Sequence, residues 1–262
     1  MSSKKSLVFV KLGGAAITFK EFPKKANEPI LDSCARQISD LKHECQFLIG
    51  HGGGGFAHPI AAKYKVNEGI AVAGLAGVTE THRAVRELNS IVVNYLMDRG
   101  VPAFSVFASS AAVASDGKIK QFYTNPIKEL LANDLVPVIS GDVVPDTKKG
   151  CSIASTEMIF SFLLKKFKPK RIVVGTDVDG VFVTENGQEK VVPEINRRNY
   201  KEVLETIGSS KYTDVTGGMK HKVMELYNIS KKVSDVQIIN LLKEGNLAKA
   251  IKGEHVGTLI VN

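Results

Sequence analysis

The sequence of 262 residues contains no tryptophan, only three cysteines and no apolar run long enough to cross a bilayer. Cys34, Cys45 and Cys151 form no C-x-x-C pair, which argues against a disulfide framework and against a zinc site. Aromatic residues make up only 7% of the chain, too few to interleave with basic residues as in nucleic-acid-binding surfaces. No apolar signal segment opens the chain, since Lys11 interrupts its first apolar run. We therefore predict a cytoplasmic protein with neither nucleic acid nor membrane as a partner.

The charge balance is basic, with a formal net charge of +8. The lysines are scattered along the chain, and their densest tract, residues 165–171, is interpreted as the solvated end of a helix. A basic surface also suits phosphorylated substrates. Hydrophobic residues make up 44% of the chain, which is ordinary for a globular protein with a sizeable core.

A run of four glycines, residues 52–55, is the most informative stretch, and it is flanked by His51 and His58. It follows an apolar run at residues 47–49 that predicts a buried strand, and Pro59 then opens a predicted helix. Between a strand and a helix start, backbone N–H groups and the helix dipole bind anions, and glycine permits close approach. A flexible surface loop is the alternative, but this context favours a phosphate site. The stretch matches neither a P-loop nor a dinucleotide fingerprint.

A lysine lies inside the first predicted strand. Residues 7–14 form an apolar run that ends in two glycines, and Lys11 interrupts it. A buried lysine is costly unless its ammonium group emerges in a site, so we predict a functional role for Lys11. Lys20 closes the loop predicted at residues 15–19 and would, on its own, be an ordinary surface lysine.

Strands and helices alternate along the rest of the chain. Helices are predicted at residues 29–45, 78–99, 153–167 and 214–232, strands at 103–107, 135–140, 171–175, 236–241 and 257–261, and hairpins at 112–123 and 181–192. Residues 69–77 are predicted to be a flexible connection. Gly100 is predicted to end the helix at residues 78–99. This alternation predicts a parallel, doubly wound sheet whose ligands bind beyond the carboxyl ends of its strands.

Together these segments resemble the amino acid kinase superfamily and, within it, the isopentenyl phosphate kinases. The resemblance covers nearly the whole chain. It rests on residues 11–14, 51–59, 82–84 with 88–89, 141–144, 176–181 and 214–222. The histidine after the glycine run, His58, separates isopentenyl phosphate kinases and the related fosfomycin kinases from members that phosphorylate amino acids.

The resemblance implies an α/β fold, a three-layer αβα sandwich with a mainly parallel central sheet, in one domain over residues 1–262. The N-terminal half, residues 1–150, would bind the acceptor phosphate, and residues 151–262 would bind the nucleotide. The implied reaction transfers the γ-phosphoryl group of ATP, with Mg²⁺, to isopentenyl phosphate, giving isopentenyl diphosphate for isoprenoid biosynthesis in a mevalonate pathway. The implied assembly is a homodimer.

The resemblance also assigns roles to residues. Lys11 and Lys222 would neutralise the β- and γ-phosphates, and Lys20 would stabilise the transferring group. The acceptor would be bound by Gly53, Gly54, His58 and Ser155, and the nucleotide would be bordered by Gly13, Gly14, Gly54, Asp177, Phe182 and Gly218. No protein residue is assigned as a metal ligand, because Mg²⁺ would bridge the phosphates.

Each assignment has an ordinary structural alternative. His58 could cap a helix, and His51 is interpreted as structural. Asp177 and Asp179 could form a turn, or they could hold Mg²⁺ through water. Lys222 would otherwise be a lysine on a helix surface.

The chain departs from the family at residues 154–157, where Ala-Ser-Thr-Glu replaces the usual Ser-Gly-Asp-Asp. The aspartate missing at Thr156 is the one expected to orient the two catalytic lysines. Glu157 lies one residue on, about 100° around a helix. Either Glu157 enters the site from a shifted backbone, or another acid, such as Asp142, takes the role.

Two other functions remain open at this point. One is a kinase for another small phosphate or phosphonate, and the other is a non-catalytic nucleotide-binding protein, supported only by the missing acid. An isoprenoid tail needs an apolar wall beside His58, which residues 70–78 and 85–93 could supply. Acetylglutamate kinase is disfavoured, since a carboxylate acceptor would give His58 no task.

Overall fold

The computed structural model describes residues 5–19, 21–185, 188–207 and 218–262. Its strands are β1 (Ser6–Leu12), β2 (Cys45–His51), β3 (Ala103–Phe107), β4 (Ala112–Ser115), β5 (Lys118–Phe122), β6 (Val136–Ser140), β7 (Asp142–Asp146), β8 (Gly150–Ala154), β9 (Arg171–Thr176), β10 (Phe182–Glu185), β11 (Gln188–Val191), β12 (Glu194–Ile195), β13 (Val236–Asn240) and β14 (Thr258–Ile260). Its α-helices are α1 (Gly14–Ile17), α2 (Glu28–Leu41), α3 (Gly54–Lys63), α4 (Ile70–Asp98), α5 (Ala108–Ala111), α6 (Asn125–Ala132), α7 (Thr156–Leu163), α8 (Tyr200–Thr206), α9 (Gly218–Ser230) and α10 (Asn246–Lys252), and a 3₁₀ turn covers Val66–Glu68.

An eight-stranded sheet forms the centre of the fold, in the order β12-β14-β13-β9-β1-β2-β6-β3. Its neighbours pair in parallel except β13 with β14, which are antiparallel. The central strands are short apolar runs because both faces of a parallel sheet are covered. The predicted mainly parallel central sheet is therefore confirmed.

Helices cover both faces of this sheet and give the three predicted layers. One hydrophobic core receives Leu31 of α2, Leu88 of α4 and Ile251 of α10. The opposite core receives Phe160 of α7 and Leu226 of α9. Successive residues of a strand point to opposite faces, so each central strand feeds both cores.

Strand β1 shows how this alternation places the buried lysine. Val8 and Val10 enter the core beneath α2 and α4, whereas Phe9 enters the other core and lies 5.0 Å from Phe160, centroid to centroid. Lys11 has the same parity as Phe9, so its side chain lies on the face that α7 covers. The predicted burial of Lys11 is confirmed, with 9% of the residue exposed.

Two predicted segments have a different structure. The helix predicted at residues 153–167 is wrong in its first part, because β8 pairs with β7 and Ser155 caps a helix that begins at Thr156. The flexible connection predicted at residues 69–77 is also wrong. Helix α4 already begins at Ile70, with a kink at Gly74, whose φ of 65° and ψ of 171° are not helical. Small residues there mark a kinked helix rather than a loop.

The segments around the glycines are also more helical than predicted. The predicted loop at residues 15–19 contains helix α1, and α3 begins at Gly54, so Pro59 lies inside the helix rather than near its first turn. Proline cannot donate to the carbonyl group four residues before it. That carbonyl, on Gly55, instead accepts a bond from the backbone N–H of Lys24 at 3.4 Å.

Other local predictions are confirmed. Strands β4 and β5 pair as a hairpin, as do β10 and β11. Gly100 follows α4 with a φ of 72°, and Val101 N–H bonds the Leu96 carbonyl, which is a Schellman ending. No helix in the described part of the chain combines the length and apolar character needed to span a bilayer.

The basic tract at residues 165–171 lies at the edge of the sheet where the strands begin. Lys166, Lys168 and Lys170 line an open groove of about 970 Å³ together with Lys5 and Lys128. Because the glycine loops follow the carboxyl ends of the strands, this groove is remote from them.

Candidate active site

The carboxyl ends of β9, β1, β2 and β6 lie side by side at one edge of the central sheet. Each of these strands is followed by a chemistry-bearing segment: Asp177 after β9, Gly13 after β1, Gly52 after β2 and Gly141 after β6. The sequence motifs that lie far apart in the chain are therefore neighbours in space. This edge is the predicted location of the site.

Two glycine segments contact each other at the centre of this edge. A Cβ atom on Gly14 would collide with the backbone N of Gly54, and one on Gly13 would collide with the Gly175 carbonyl. Gly54 also has a positive φ of 47°, which disfavours any side chain. The glycines are thus required for the loops after β1 and β2 to approach each other and the end of β9.

Thr18 joins these two segments through its buried hydroxyl. Its Oγ1 donates to the Gly14 carbonyl at 2.6 Å and accepts from the Gly55 backbone N–H at 2.8 Å. The first N–H groups of a helix have no partner within the helix, so Thr18 satisfies one of those of α3. The sequence interpretation did not include Thr18.

His58 lies one turn into α3 and is exposed. A Cβ built on Gly53 would be 3.4 Å from Cδ2 and 3.7 Å from Nε2 of His58. The imidazole therefore lies beside the glycine loop at the N-terminus of α3, where the helix dipole favours an anion.

Lys11 and Glu157 form a buried ion pair between the ammonium group and a carboxylate oxygen. The side chains are 11% and 8% exposed, respectively. Glu157 lies in the first turn of α7, where the helix dipole favours a carboxylate. Of the two acids weighed for orienting Lys11, the structure places Glu157 in contact with it.

Lys222 on α9 contributes to the same electrostatic centre. Burial alone would raise the pKa of the Glu157 carboxyl, but the charges of Lys11 and Lys222, with the hydrogen bond from Lys11, lower it to about 2. Glu157 is thus ionised at any physiological pH and faces two lysines from different elements. Of the two alternatives for the acid missing at Thr156, these contacts support Glu157.

Thr156 has a different contact. Its buried Oγ1 donates to the His51 carbonyl at 2.7 Å, which ties the start of α7 to the end of β2. An ionised carboxylate at this position could not donate this bond.

His51 is buried and its two ring nitrogens have different partners. Nδ1 lies 3.1 Å from the Gly52 carbonyl oxygen, and Nε2 lies 3.0 Å from Nδ2 of Asn89. Ser105 Oγ donates to Oδ1 of Asn89 at 2.6 Å. Burial lowers the pKa of His51 to about 4. These contacts agree with its interpretation as a structural residue.

Asp142, the other acid weighed for the lysines, pairs with His82 instead. Its carboxylate lies 2.9 Å from Nδ1 of His82 and accepts the Val143 backbone N–H at 2.7 Å. The hydrogen bond to Asp142 raises the pKa of His82.

The expected nucleotide side lies around β9, β10 and α9. Asp177 directly follows β9, Phe182 begins β10 and Gly218 begins α9. The Oδ1 atom of Asp179 lies 2.7 Å from the ammonium nitrogen of Lys243, and it accepts a hydrogen bond from Nδ2 of Asn240 at 3.0 Å. Hydrogen bonds from these two residues lower the pKa of Asp179.

One predicted site residue, Ser155, caps a helix, and others lie outside the residues that the structure describes. Ser155 caps α7, since its Oγ accepts the Met158 N–H at 3.2 Å. Lys20 and residues 208–217, which include the Thr-Gly segment before Gly218, lie outside the described residues. Among the residues that are described, no three histidine, cysteine, aspartate or glutamate side chains lie close enough to hold a metal ion.

Known proteins match this chain over nearly its whole length. A sequence profile of the Amino acid kinase family matches residues 6–240. The isopentenyl phosphate kinase of Methanocaldococcus jannaschii is 36% identical, over 97% of this chain and 98% of its own. That of Methanothermobacter thermautotrophicus is 32% identical over the same shares. An X-ray structure of isopentenyl phosphate kinase has a TM-score of 0.82 at 29% identity, covering 97% of this chain and 100% of its own.

Proposed function

The chain belongs to the amino acid kinase family and, within it, to the isopentenyl phosphate kinases, and we propose that it transfers the γ-phosphoryl group of ATP to isopentenyl phosphate. The products are isopentenyl diphosphate and ADP. The observation that carries this proposal is the Lys11–Glu157–Lys222 centre beside the paired glycine segments at the carboxyl edge of the sheet.

The reaction needs little covalent help from the protein. A phosphate oxygen of the acceptor forms a bond to the γ-phosphorus while the bond between that phosphorus and the β,γ-bridging oxygen breaks, and the electron pair leaves with ADP. The acceptor oxygen is already anionic, so no proton has to be removed. The protein must hold two anions in line and neutralise them, which is a task for cations and N–H groups.

Lys11 and Lys222 are proposed to neutralise the β- and γ-phosphates. The ionised carboxylate of Glu157 faces the positive charges of both lysines and would direct their ammonium groups to one place. The charges act in a mostly buried region, where they stabilise developing negative charge more strongly than in water. Lys20 is proposed to stabilise the transferring group.

The acceptor phosphate is proposed to lie at the N-terminus of α3. Backbone N–H groups of Gly53 and Gly54, the helix dipole and the imidazole of His58 would bind it together. Ser155 is proposed to lie on the same side, although its hydroxyl already caps α7.

The nucleotide is proposed to lie across the ends of β1 and β9. Gly13, Gly14, Asp177, Phe182 and Gly218 would border it. A magnesium ion takes oxygen ligands, so phosphate oxygens and water are a suitable set, and the Asp177 carboxylate would hold the ion through water. The ion would neutralise phosphate charge.

The isoprenoid tail is proposed to lie against the first turns of α4. Val72 and Leu75 are exposed there, at 53% and 74%, next to the kink at Gly74. The second segment considered for this wall, residues 85–93, is unsuitable, because Val85 and Leu88 are buried in the core.

We further propose that the protein is a homodimer in the cytoplasm. Residues 1–262 are proposed to form a single domain, whose acceptor-phosphate half and nucleotide half meet near residue 150. Strand β3 is the last strand at its edge of the central sheet and carries Phe104, which is 52% exposed. Such an edge can pair with a second copy. Light scattering of the wild type and of Phe104→Glu would test this assembly, and a monomeric wild type would contradict it.

The proposed activity is tested by measuring ADP release from Mg-ATP with five acceptors: isopentenyl phosphate, dimethylallyl phosphate, fosfomycin, N-acetylglutamate and UMP. We expect turnover with the two isoprenoid phosphates alone. Turnover with fosfomycin only would favour the phosphonate alternative. No ADP release with any of the five acceptors, while ATP still binds, would support the non-catalytic alternative.

A further inference from the structure

A chain of three buried or part-buried hydrogen bonds leads from β3 to the glycine loop. Ser105 Oγ donates to Asn89, the Asn89 amide contacts His51 Nε2, and His51 Nδ1 contacts the Gly52 carbonyl. Asn89 and His51 are 1% and 0% exposed, respectively. The residues come from β3, α4 and β2, so three elements converge on one peptide of the loop.

The partners determine which ring nitrogen of His51 carries the proton. The Gly52 carbonyl can only accept, so Nδ1 must donate to it and therefore carries hydrogen. The amide nitrogen of Asn89 can only donate, so Nε2 must accept and carries none. Reversing the Asn89 amide would place a bare Nδ1 against the Gly52 oxygen, with no proton between them. The neutral Nδ1–H tautomer is thus the one that satisfies every contact.

This tautomer determines how the next peptide is turned. In a trans peptide the C=O and the following N–H point in opposite directions, and the described chain has no cis peptide bonds. The Gly52 carbonyl points inward to the His51 ring, so the Gly53 N–H points away from it. The Gly52 N–H is itself held by the Leu12 carbonyl at 3.1 Å, and the His51 carbonyl is held by Thr156 at 2.7 Å.

We propose that His51 is a positioning residue for the acceptor phosphate: as the Nδ1–H tautomer it turns the Gly52–Gly53 peptide so that the Gly53 N–H faces that phosphate. Asn89, supported by Ser105, sets the tautomer. The identity of the acceptor rests on the proposed function, but the tautomer and the peptide orientation do not.

Two substitutions separate this role from simple filling of space. In His51→Asn the side-chain amide nitrogen replaces Nδ1 and can still donate to the Gly52 carbonyl. In His51→Gln the amide reaches the position of Nε2 and leaves that carbonyl without its donor. A purely structural role favours Gln, because its volume is closer to that of histidine. The positioning role favours Asn.

We expect the acceptor KM to rise about tenfold more in His51→Gln than in His51→Asn, the fold-change that corresponds to one hydrogen bond. The KM for ATP should stay similar in both variants. An acceptor KM in His51→Gln equal to or below that of His51→Asn would overturn the proposal. Absence of turnover with isopentenyl phosphate in the wild type would instead overturn the proposed function.

Nuclear magnetic resonance of the wild-type protein tests the proposal without any substitution that could disturb folding. Long-range ¹H–¹⁵N correlation reports the protonated ring nitrogen, and His43, which is exposed, is an internal reference. We expect a proton on Nδ1 of His51 and, on addition of isopentenyl phosphate, one of the largest amide shifts at Gly53. A proton on Nε2, or a Gly53 amide that does not respond while the ligand binds, would overturn the proposal.

Discussion

The ammonium group of Lys11 and the carboxylate of Glu157 form a buried ion pair that joins the end of β1 to the first turn of α7. Glu157 lies one residue after the position at which family resemblance places the orienting aspartate. The pair therefore places a carboxylate against Lys11 although Thr156 cannot carry a charge. Lys222 on α9 adds a second positive charge to the same carboxylate.

Replacing this carboxylate should impair catalysis. In Glu157→Gln the two lysines lose the anion that directs them, so we expect kcat to fall by about 10²- to 10³-fold. Glu129→Gln, an equivalent change at an exposed position on α6, should leave kcat unchanged. Steady-state ADP release measures both variants. Full activity of Glu157→Gln would show that Glu157 does not orient the lysines.

The same carboxylate predicts how stability changes with pH. Its pKa in the folded protein is lowered from 4.5 to about 2, against the effect of burial, by the positive charges of the two lysines. A lowered folded-state pKa means that the ionised group stabilises the fold above about pH 4.5. This contribution is lost as the pH falls from about 4.5 to about 2. The free energy of unfolding in urea should decline less steeply across this pH window in Glu157→Gln than in the wild type. Parallel declines in both proteins would contradict the pairing.

Introducing the family aspartate at position 156 should lower the activity rather than raise it. In Thr156→Asp the side chain no longer donates to the His51 carbonyl, and a carboxylate would lie against that carbonyl oxygen. We expect kcat/KM to fall by about tenfold, as for one lost hydrogen bond with a desolvated oxygen. Thr156→Ser keeps the hydroxyl and should keep the activity. A Thr156→Asp enzyme faster than the wild type would mean that Glu157 orients the lysines poorly.

His58 should act on the acceptor and not on the nucleotide. Its ring lies beside Gly53, so His58→Ala should raise the acceptor KM by about 10- to 100-fold, the range of a hydrogen bond to a charged group. The affinity for ATP should be spared. His43→Ala, at an exposed position after α2, is the matched control. Initial rates at varied acceptor with saturating ATP give the acceptor KM, and rates at varied ATP with saturating acceptor give the KM for ATP. An acceptor KM like that of the wild type would remove His58 from the acceptor site.

The sequence was sufficient wherever a local pattern had a single physical explanation. A lysine inside an apolar strand is costly, so the pattern predicts a special environment for Lys11, and the structure shows one in its buried ion pair. The functional role of Lys11 stays a prediction. Apolar runs that alternate with helices predicted the parallel sheet. The four glycines predicted a close approach of the backbone to a ligand, which stays a prediction, and the structure shows in addition that Gly54 lies against the backbone of Gly14.

The features that the sequence does not predict depend on contacts between residues that are distant in the chain. Nothing local indicates that Asn89 reaches His51 or that Thr18 holds Gly55, because these partners come from separate elements. The helix predicted at residues 153–167 begins too early, because Ile153 continues the apolar pattern of α7 although it belongs to strand β8. Helix α7 begins at Thr156, which places Glu157 in its first turn and in contact with Lys11.

The most direct test of the account is ³¹P nuclear magnetic resonance of isopentenyl phosphate and Mg-ATP during turnover by the wild-type protein. The account predicts that the signal of the monophosphate is replaced by two coupled signals of a diphosphate ester, in an amount equal to the ADP formed. Formation of ADP and inorganic phosphate without a new diphosphate ester, or persistence of the monophosphate, would contradict it.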